Sequence, residues 1–210
     1  MVDAFVEGVR SIVQVCHLVI LAPVALTIVA ARGRWEVTLG AVAGVVVGGW
    51  FFVSNRFGAI SETELRITAS LVIVIVVALG APAVFDRDRP RLMRAIGSTV
   101  QSPLVAGVLS AVVAMMVTQW WRPCVGEELG SLLTNAPSDP WGQLFPTVGF
   151  MTGIAVPLVI LGLIYGSVEP PLDVASKLGW IGSGLCVALA VSVIAGQHGE
   201  IVSRLFQWSQ

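Results

Sequence analysis

Residues 102–121 read SPLVAGVLSAVVAMMVTQWW and contain no charged side chain. A bilayer core about 30 Å thick is crossed by roughly 20 apolar residues in an α-helix. Comparable apolar segments run through the rest of the chain, at 9–31, 37–54, 66–85, 145–166 and 177–196. Because only helices and closed barrels satisfy the backbone in lipid, runs this long predict helices. We therefore expect an all-α, polytopic membrane protein with six transmembrane helices.

Composition leads to the same class of protein. Hydrophobic residues make up 56% of the 210 residues and charged residues only 12%, whereas ordinary globular domains carry about 25% charged residues. Six helices with short connections use most of this length, so we expect a single membrane domain over 1–210 in contact with the lipid bilayer. The formal net charge of -1 and the lack of a dense basic run argue against nucleic acid as a partner.

The distribution of basic residues predicts an orientation, because Arg and Lys collect in cytoplasmic loops. The densest patch consists of Arg87, Arg89, Arg91 and Arg94. A cytoplasmic position for this loop leaves both termini extracytoplasmic, in agreement with the acidic Asp3 and Glu7.

The two halves of the chain have the spacing of a degenerate repeat. Cys16 and Cys124 lie 108 residues apart, and so do the predicted starts of the second and fifth helices, near 37 and 145. Three helices per repeat is an odd number, so the second copy, 101–210, must be inverted relative to the first, 1–100. Such a repeat has its site near the midplane, at the interface of the halves. Alternatively, any six-helix protein divides into two similar halves.

The segment TQWWRPCVGEELG, residues 118–130, follows the apolar run without a loop. Pro123 removes a helix hydrogen bond and Gly126 loosens the chain, so the fourth helix is predicted to break here. At membrane depth a break needs protein or a water-filled cavity around it, where the Cys124 thiol can meet water and partners. The alternative is an ordinary helix end at the interface.

Residues 122–126, RPCVG, with the leucine-rich 129–133 after them, resemble the second cysteine motif of the CcdA/DsbD transmembrane thiol-reductase family. That family typically has Pro-Cys-x-Gly before a Leu-rich segment. The glycine-rich 149–157, with its late Pro157, is similar to the family's fifth helix, and 4–11 lead into Cys16 with the family's spacing. The resemblance covers the chain in outline, but only the second motif is specific.

The chain departs from the family at several prolines. Members usually have proline just before the first cysteine and three residues after each one, where this chain has Val15, Val19 and Glu127. The departure predicts a first helix that stays continuous past Cys16, with Pro23 as its only break.

The resemblance implies a thiol-disulfide electron carrier in the plasma membrane of a bacterium, with Cys16 and Cys124 as the reactive pair. Its electron donor would be cytoplasmic thioredoxin. Its acceptor would be an extracytoplasmic thioredoxin-like protein that reduces apocytochrome c cysteines or other oxidised proteins. A disulfide needs the Cα atoms of its two cysteines to lie about 4.4–6.8 Å apart. Cysteines at equivalent positions of pseudo-symmetric helices can come that close. Exchange then proceeds through a mixed disulfide.

Several polar neighbours are candidates for supporting roles. Positive charge from His17 or Arg122 would lower the pKa of a nearby thiol, although His17 could instead be hydrogen-bonded inside the bundle. Glu127, like Glu128, could shuttle protons or pair with Arg122, or it could be hydrated at the interface. Buried Cys186 is expected to act as a small hydrophobe.

Two other functions remain open. The rival is a small solute or metal-ion transporter on the same inverted-repeat plan, which the missing prolines favour; an inactive relative within a larger complex is the third. His17 and His198 are far apart in sequence, so we expect no bound metal and no cofactor.

Glycines recur four residues apart in two predicted helices, as Gly44 and Gly48 and as Gly149 and Gly153. Small residues at this spacing let helices approach closely. We therefore expect helix contacts at both pairs.

Overall fold

The computed structural model describes most of the chain, namely residues 1–13, 15–31, 33–54, 61–84, 102–120, 129–134, 136, 140–168 and 171–209. All regular structure in these ranges is helical. The elements are α1 (Val2–Ser11), α2 (Val15–Ala30), α3 (Trp35–Ser54), α4 (Glu62–Val84), α5 (Pro103–Gln119), α6 (Pro140–Ser167), α7 (Leu172–Ile194) and α8 (His198–Ser209). A short helical segment at 129–134 lies between α5 and α6. The predicted all-α class is confirmed for the described part of the chain.

Two helices are long and apolar enough to cross a membrane. The stretches are Trp141–Ser167 in α6 and Lys177–Ile194 in α7. Shorter apolar stretches occupy Trp35–Phe51 in α3 and Pro103–Thr118 in α5. These four stretches fall within or close to four of the six predicted segments.

The predicted first segment, 9–31, is divided between two helices. The first helix ends at Ser11, Ile12 and Val13 form a turn, and the next helix begins at Val15. A helix does continue past Cys16, as predicted, since α2 runs to Ala30. The predicted break at Pro23 is wrong, because Pro23 lies inside α2.

Local hydrogen bonding explains where α1 ends. The Ser11 hydroxyl donates to the Gly8 carbonyl at 2.9 Å. The N–H groups of Ile12 and Val13 donate to carbonyls three residues back, at 3.4 Å each, which tightens the last turn and ends the helix without a proline.

A close contact joins α3 to α5. A Cβ at Gly44 would lie 2.8 Å from the Ala114 Cβ, and one at Gly48 would lie 2.9 Å from the Thr118 Cβ. Residue numbers rise together along both helices, so the two run parallel. The Ser110 hydroxyl adds a hydrogen bond to the Val37 carbonyl at 2.9 Å. The close approach predicted at Gly44 and Gly48 is confirmed.

A second contact of the same kind joins α1 to α6. A Cβ at Gly149 would lie 2.8 Å from the Met1 carbonyl oxygen, and one at Gly153 would lie 2.9 Å from the Val9 nitrogen. In return, Gly8 of α1 leaves room for the Phe150 backbone. These helices also run parallel, and the close approach predicted at Gly149 and Gly153 is confirmed.

The remaining helices complete one bundle. Helix α3 also packs on α6, α4 packs on α7, and α2 lies against α7 and α6, with α8 beside α2. Gly33, with a φ of 64°, turns the chain from α2 to α3 and touches the end of α6 near Tyr165. The most deeply buried large side chains include Ile28, Val45, Val72, Phe150, Ile154 and Leu158.

Candidate functional site

The two candidate cysteines differ in what the structure describes of them. Cys16 lies on the first turn of α2, as the second residue of that helix. Cys124 lies outside the described residues, together with four of its predicted helpers, Arg122, Pro123, Gly126 and Glu127. The pairing of Cys16 with Cys124 therefore stays a prediction.

Both cysteines follow the end of a helix at the same distance. Helix α1 ends at Ser11 and α5 ends at Gln119, so each cysteine comes five residues after a helix end. Each of these two helices packs in parallel against glycines of another helix, α1 against α6 and α5 against α3. The described helices that precede the two cysteines in sequence therefore pack in the same way.

Helix α5 ends within the predicted break, but earlier than Pro123. Its last residue is Gln119, and the Trp120 N–H donates to the Val117 carbonyl three residues back, at 3.1 Å. This tightened turn ends the helix before the proline is reached.

His17 is fully buried in the first turn of α2, next to Cys16. An imidazole in that position lies inside the bundle rather than at its surface. Burial agrees both with a role beside the thiol and with a hydrogen-bonded structural residue, the two alternatives that the sequence left open.

A polar cluster that the sequence reasoning missed lies at the end of α5. The Gln119 side-chain Nε2 donates to the Gly48 carbonyl at 2.9 Å. Its Oε1 and the Trp120 Nε1 are buried without a hydrogen-bond partner among the described residues. Unpaired buried polar atoms cost about 1–3 kcal/mol each, so this helix end offers one acceptor and one donor to a polar group. The sequence did contain a signal for this cluster, namely the polar amide of Gln119 near the end of the uncharged run 102–121.

Pro157 lies in the interior of α6, which continues through it to Ser167. A proline donates no backbone hydrogen bond, so the carbonyl four residues earlier, that of Gly153, loses its helical partner. Gly153 is also where α1 touches α6. Pro157 is thus close in sequence to the α1 contact, and its functional role stays a prediction.

Cys186 is fully buried in α7. The predicted burial of this residue is confirmed, and its surroundings are those of a small hydrophobe.

Metal-binding geometry is absent from the described ranges: they contain no group of three or more His, Cys, Asp or Glu side chains that could hold an ion.

Comparison with known proteins leaves the chain without an assigned relative, since no protein-family model, no curated protein and no solved structure matches it.

Proposed function

We propose that this chain is a six-span membrane protein of the CcdA/DsbD type, which carries reducing equivalents across the bilayer through Cys16 and Cys124. One observation carries the proposal. Each cysteine lies five residues after the end of a helix that packs in parallel against glycines of another helix. A pair of reactive thiols related by a two-fold axis would follow equivalent helices in this way.

Exposed apolar surface supports the membrane part of the proposal. Only 22% of the apolar window in α7 is buried inside the bundle, whereas the core helix of a water-soluble protein is mostly buried. Large apolar side chains of α6 are also more than half exposed, among them Phe145, Leu163 and Ile164. Surface of this kind is favourable against lipid and unfavourable against water.

The pattern of helix contacts supports inverted repeats over 1–100 and 101–210. Helices α1 and α5 end 108 residues apart, which equals the separation of the cysteines. A shift of 108 residues takes α1 to the end of α5, α3 to α6, and α4 to α7. The contact of α1 with α6 therefore corresponds to the contact of α5 with α3. The shift also relates α3 to α6 and α4 to α7, and both of these pairs are in contact. Contacts between counterparts are expected at a two-fold axis in the membrane plane.

The chemistry is two successive thiol-disulfide exchanges. A thiolate of reduced cytoplasmic thioredoxin attacks the Cys16–Cys124 disulfide, and one of the two cysteine sulfurs leaves as a thiolate. The second thioredoxin thiol then resolves the mixed disulfide, so that thioredoxin is oxidised and this chain gains two electrons. The reduced pair next attacks the disulfide of an extracytoplasmic thioredoxin-like protein, whose thiols can reduce apocytochrome c. His17, Arg122 and Glu127 are the candidates for stabilising the thiolates or moving their protons.

The rival function, a small solute or metal-ion transporter on the same inverted-repeat plan, stays open. The missing prolines favour it, and α2 runs without a break from Val15 past Cys16 to Ala30. A turn at Ile12 and Val13 nevertheless precedes this helix, so the lack of a proline before Cys16 does not imply one continuous helix from residue 9.

Thiol alkylation and mass spectrometry of the purified full chain in detergent test the proposal. We expect a Cys16–Cys124 disulfide that reduced thioredoxin opens, and we expect Cys16→Ser and Cys124→Ser each to abolish it. Cys186→Ala is the control and should leave the disulfide intact. Three thiols that never pair under mild oxidation would contradict the carrier function and favour the transporter.

A further inference from the structure

Helix α8, His198–Ser209, has no part in the proposed exchange chemistry. It is separated from α7 by a turn at Gly196, whose φ is 74°. The Gly196 N–H donates to the Val193 carbonyl at 3.1 Å, and the Gln197 N–H donates to the Ser192 carbonyl at 2.9 Å. This pair of bonds is a Schellman motif, which ends a helix at a left-handed glycine. The chain therefore stops α7 at a defined point and begins a separate helix there.

One face of α8 is polar and exposed. At about 100° per residue, the polar positions 200, 203, 204 and 207 fall within about 100° of one another around the helix, and all four residues are exposed. The Arg204 Nη2 and Glu200 Oε1 atoms lie 2.6 Å apart, with side chains 73% and 65% exposed. The polar face is therefore open to solvent, and its two opposite charges cancel.

The opposite face of α8 is apolar by register. The sequence has apolar residues at 201, 202, 205, 206 and 208, and the helical period places these positions within about 160° of one another. Ile201 lies near the edge of this arc and is 40% exposed. A short helix with one polar face and with Leu, Phe and Trp on the other face has the pattern of a helix that lies in the plane of a lipid surface.

Exposed apolar surface continues from α7 to α8. Only 22% of the apolar window in α7 is buried inside the bundle, and Val191 and Ile194, near its end, are 51% and 37% exposed. Helix α8 packs beside α2 and α7, but this packing leaves Ile201 exposed. A protein partner selected by charge would find no net charge on the polar face, whereas lipid can cover the apolar surface of both helices without one.

We propose that α8 is an interfacial helix, which lies along the surface of the lipid bilayer where α7 ends. Its apolar face enters the boundary between headgroups and acyl chains, and the Glu200–Arg204 pair faces water. Because the polar face has no net charge, uncharged (zwitterionic) phospholipid is sufficient for this contact. The inference rests on the membrane arrangement proposed above and is independent of the thiol chemistry.

Spin labelling of the full chain, reconstituted in phosphatidylcholine vesicles, tests the proposal. The background carries Cys16→Ser, Cys124→Ser and Cys186→Ala, and single labels are attached through Ile201→Cys on the apolar face or Gln207→Cys on the polar face. Collision rates are measured with oxygen, which concentrates in acyl chains, and with a water-soluble nickel chelate. We expect an oxygen-to-nickel ratio several-fold higher at 201 than at 207, which would place position 201 about 5–10 Å into the lipid.

A second matched pair, Leu205→Cys and Ser203→Cys, covers the case in which one variant fails to fold, and helical circular dichroism monitors each variant. Frequent nickel collisions on both faces would overturn the proposal, because α8 would then lie in water. Rare collisions with both reagents at 201 and 205 would also overturn it, because protein would then cover the apolar face.

A label at Leu185→Cys in α7 separates this inference from the membrane arrangement on which it rests. Leu185 is 41% exposed within the apolar span, so its label should meet oxygen often and nickel rarely. Frequent nickel collisions there would contradict the membrane arrangement, and the inference about α8 would fail with it. Since the background lacks all three cysteines, no outcome depends on whether Cys16 and Cys124 form a disulfide.

Discussion

The contact between α3 and α5 makes a quantitative prediction for Gly44→Ala. The new Cβ would lie 2.8 Å from the Ala114 Cβ and 2.9 Å from the Ala111 carbonyl carbon, and closer still to the Ala111 oxygen. Ordinary contacts begin near 3.4 Å, so α3 and α5 must separate by more than half an ångström. Because two of the three atoms belong to the backbone, no side-chain rotation relieves the clash.

Overpacking of this kind costs typically 1–3 kcal/mol, and a backbone clash belongs at the upper end, about 3 kcal/mol. Alanine is a better helix former than glycine by about 1 kcal/mol, which offsets part of the cost. The net loss in the free energy of unfolding is therefore about 2 kcal/mol. For a chain of this size we expect the Tm to fall by roughly 4–8 °C.

The assay is thermal loss of helical circular dichroism in detergent, with Gly184→Ala as the matched control. Gly184 also lies inside a helix, α7, but a Cβ there would meet no atom within 4 Å. Gly184→Ala should leave the Tm unchanged or raise it through the same helix preference. An unchanged Tm for Gly44→Ala, or equal losses at the two positions, would refute the close contact of α3 with α5.

Three further predictions use the same melting assay. Gly33 and Gly196 both have positive φ, 64° and 74°, but of the two only Gly33 approaches another backbone closely. Gly33→Ala should therefore lower the free energy of unfolding by about 1–3 kcal/mol more than Gly196→Ala. Equal losses in the two variants would contradict the close approach at Gly33. Gln119→Met removes the hydrogen bond to the Gly48 carbonyl, but it also removes a buried oxygen that has no partner among the described residues. The free energy of unfolding should therefore change by less than about 1 kcal/mol, and a loss of several kcal/mol would mean that the oxygen has a hydrogen-bond partner. Cys186→Ser buries a hydroxyl in a fully buried position and should cost about 1–3 kcal/mol, whereas the redox state of the other two cysteines, measured by alkylation, should not change.

The lengths and positions of most helices were predictable from the sequence. Uncharged runs such as 102–121 and 145–166 are long enough for a helix, and their flanking polar residues mark the ends to within a few positions. The glycine pairs that begin at Gly44 and Gly149 also predicted close helix contacts, because glycines four residues apart in an apolar run let two helices approach.

The end of α1 was not predictable in this way. Residues 9–31 form one apolar run, yet the chain leaves the helix after Ser11 and resumes it at Val15. The Ser11 hydrogen bond and the fit of Gly8 against Phe150 of α6 lie just before the turn, and the second is a contact between residues far apart in sequence. Conversely, Pro23 lies inside α2 without ending it, and this part of the helix packs against Gly182 of α7.

The sequence alone was enough to predict apolar helices, the glycine positions where two helices approach, and the cysteines that are candidates for exchange. Which helices contact each other depends on the packing of the folded chain. Contacts of α1 with α6 and of α5 with α3 are set by the fit of surfaces from distant parts of the chain, which hydropathy along the sequence does not encode. That same packing places a helix held against glycines of another helix before each candidate cysteine.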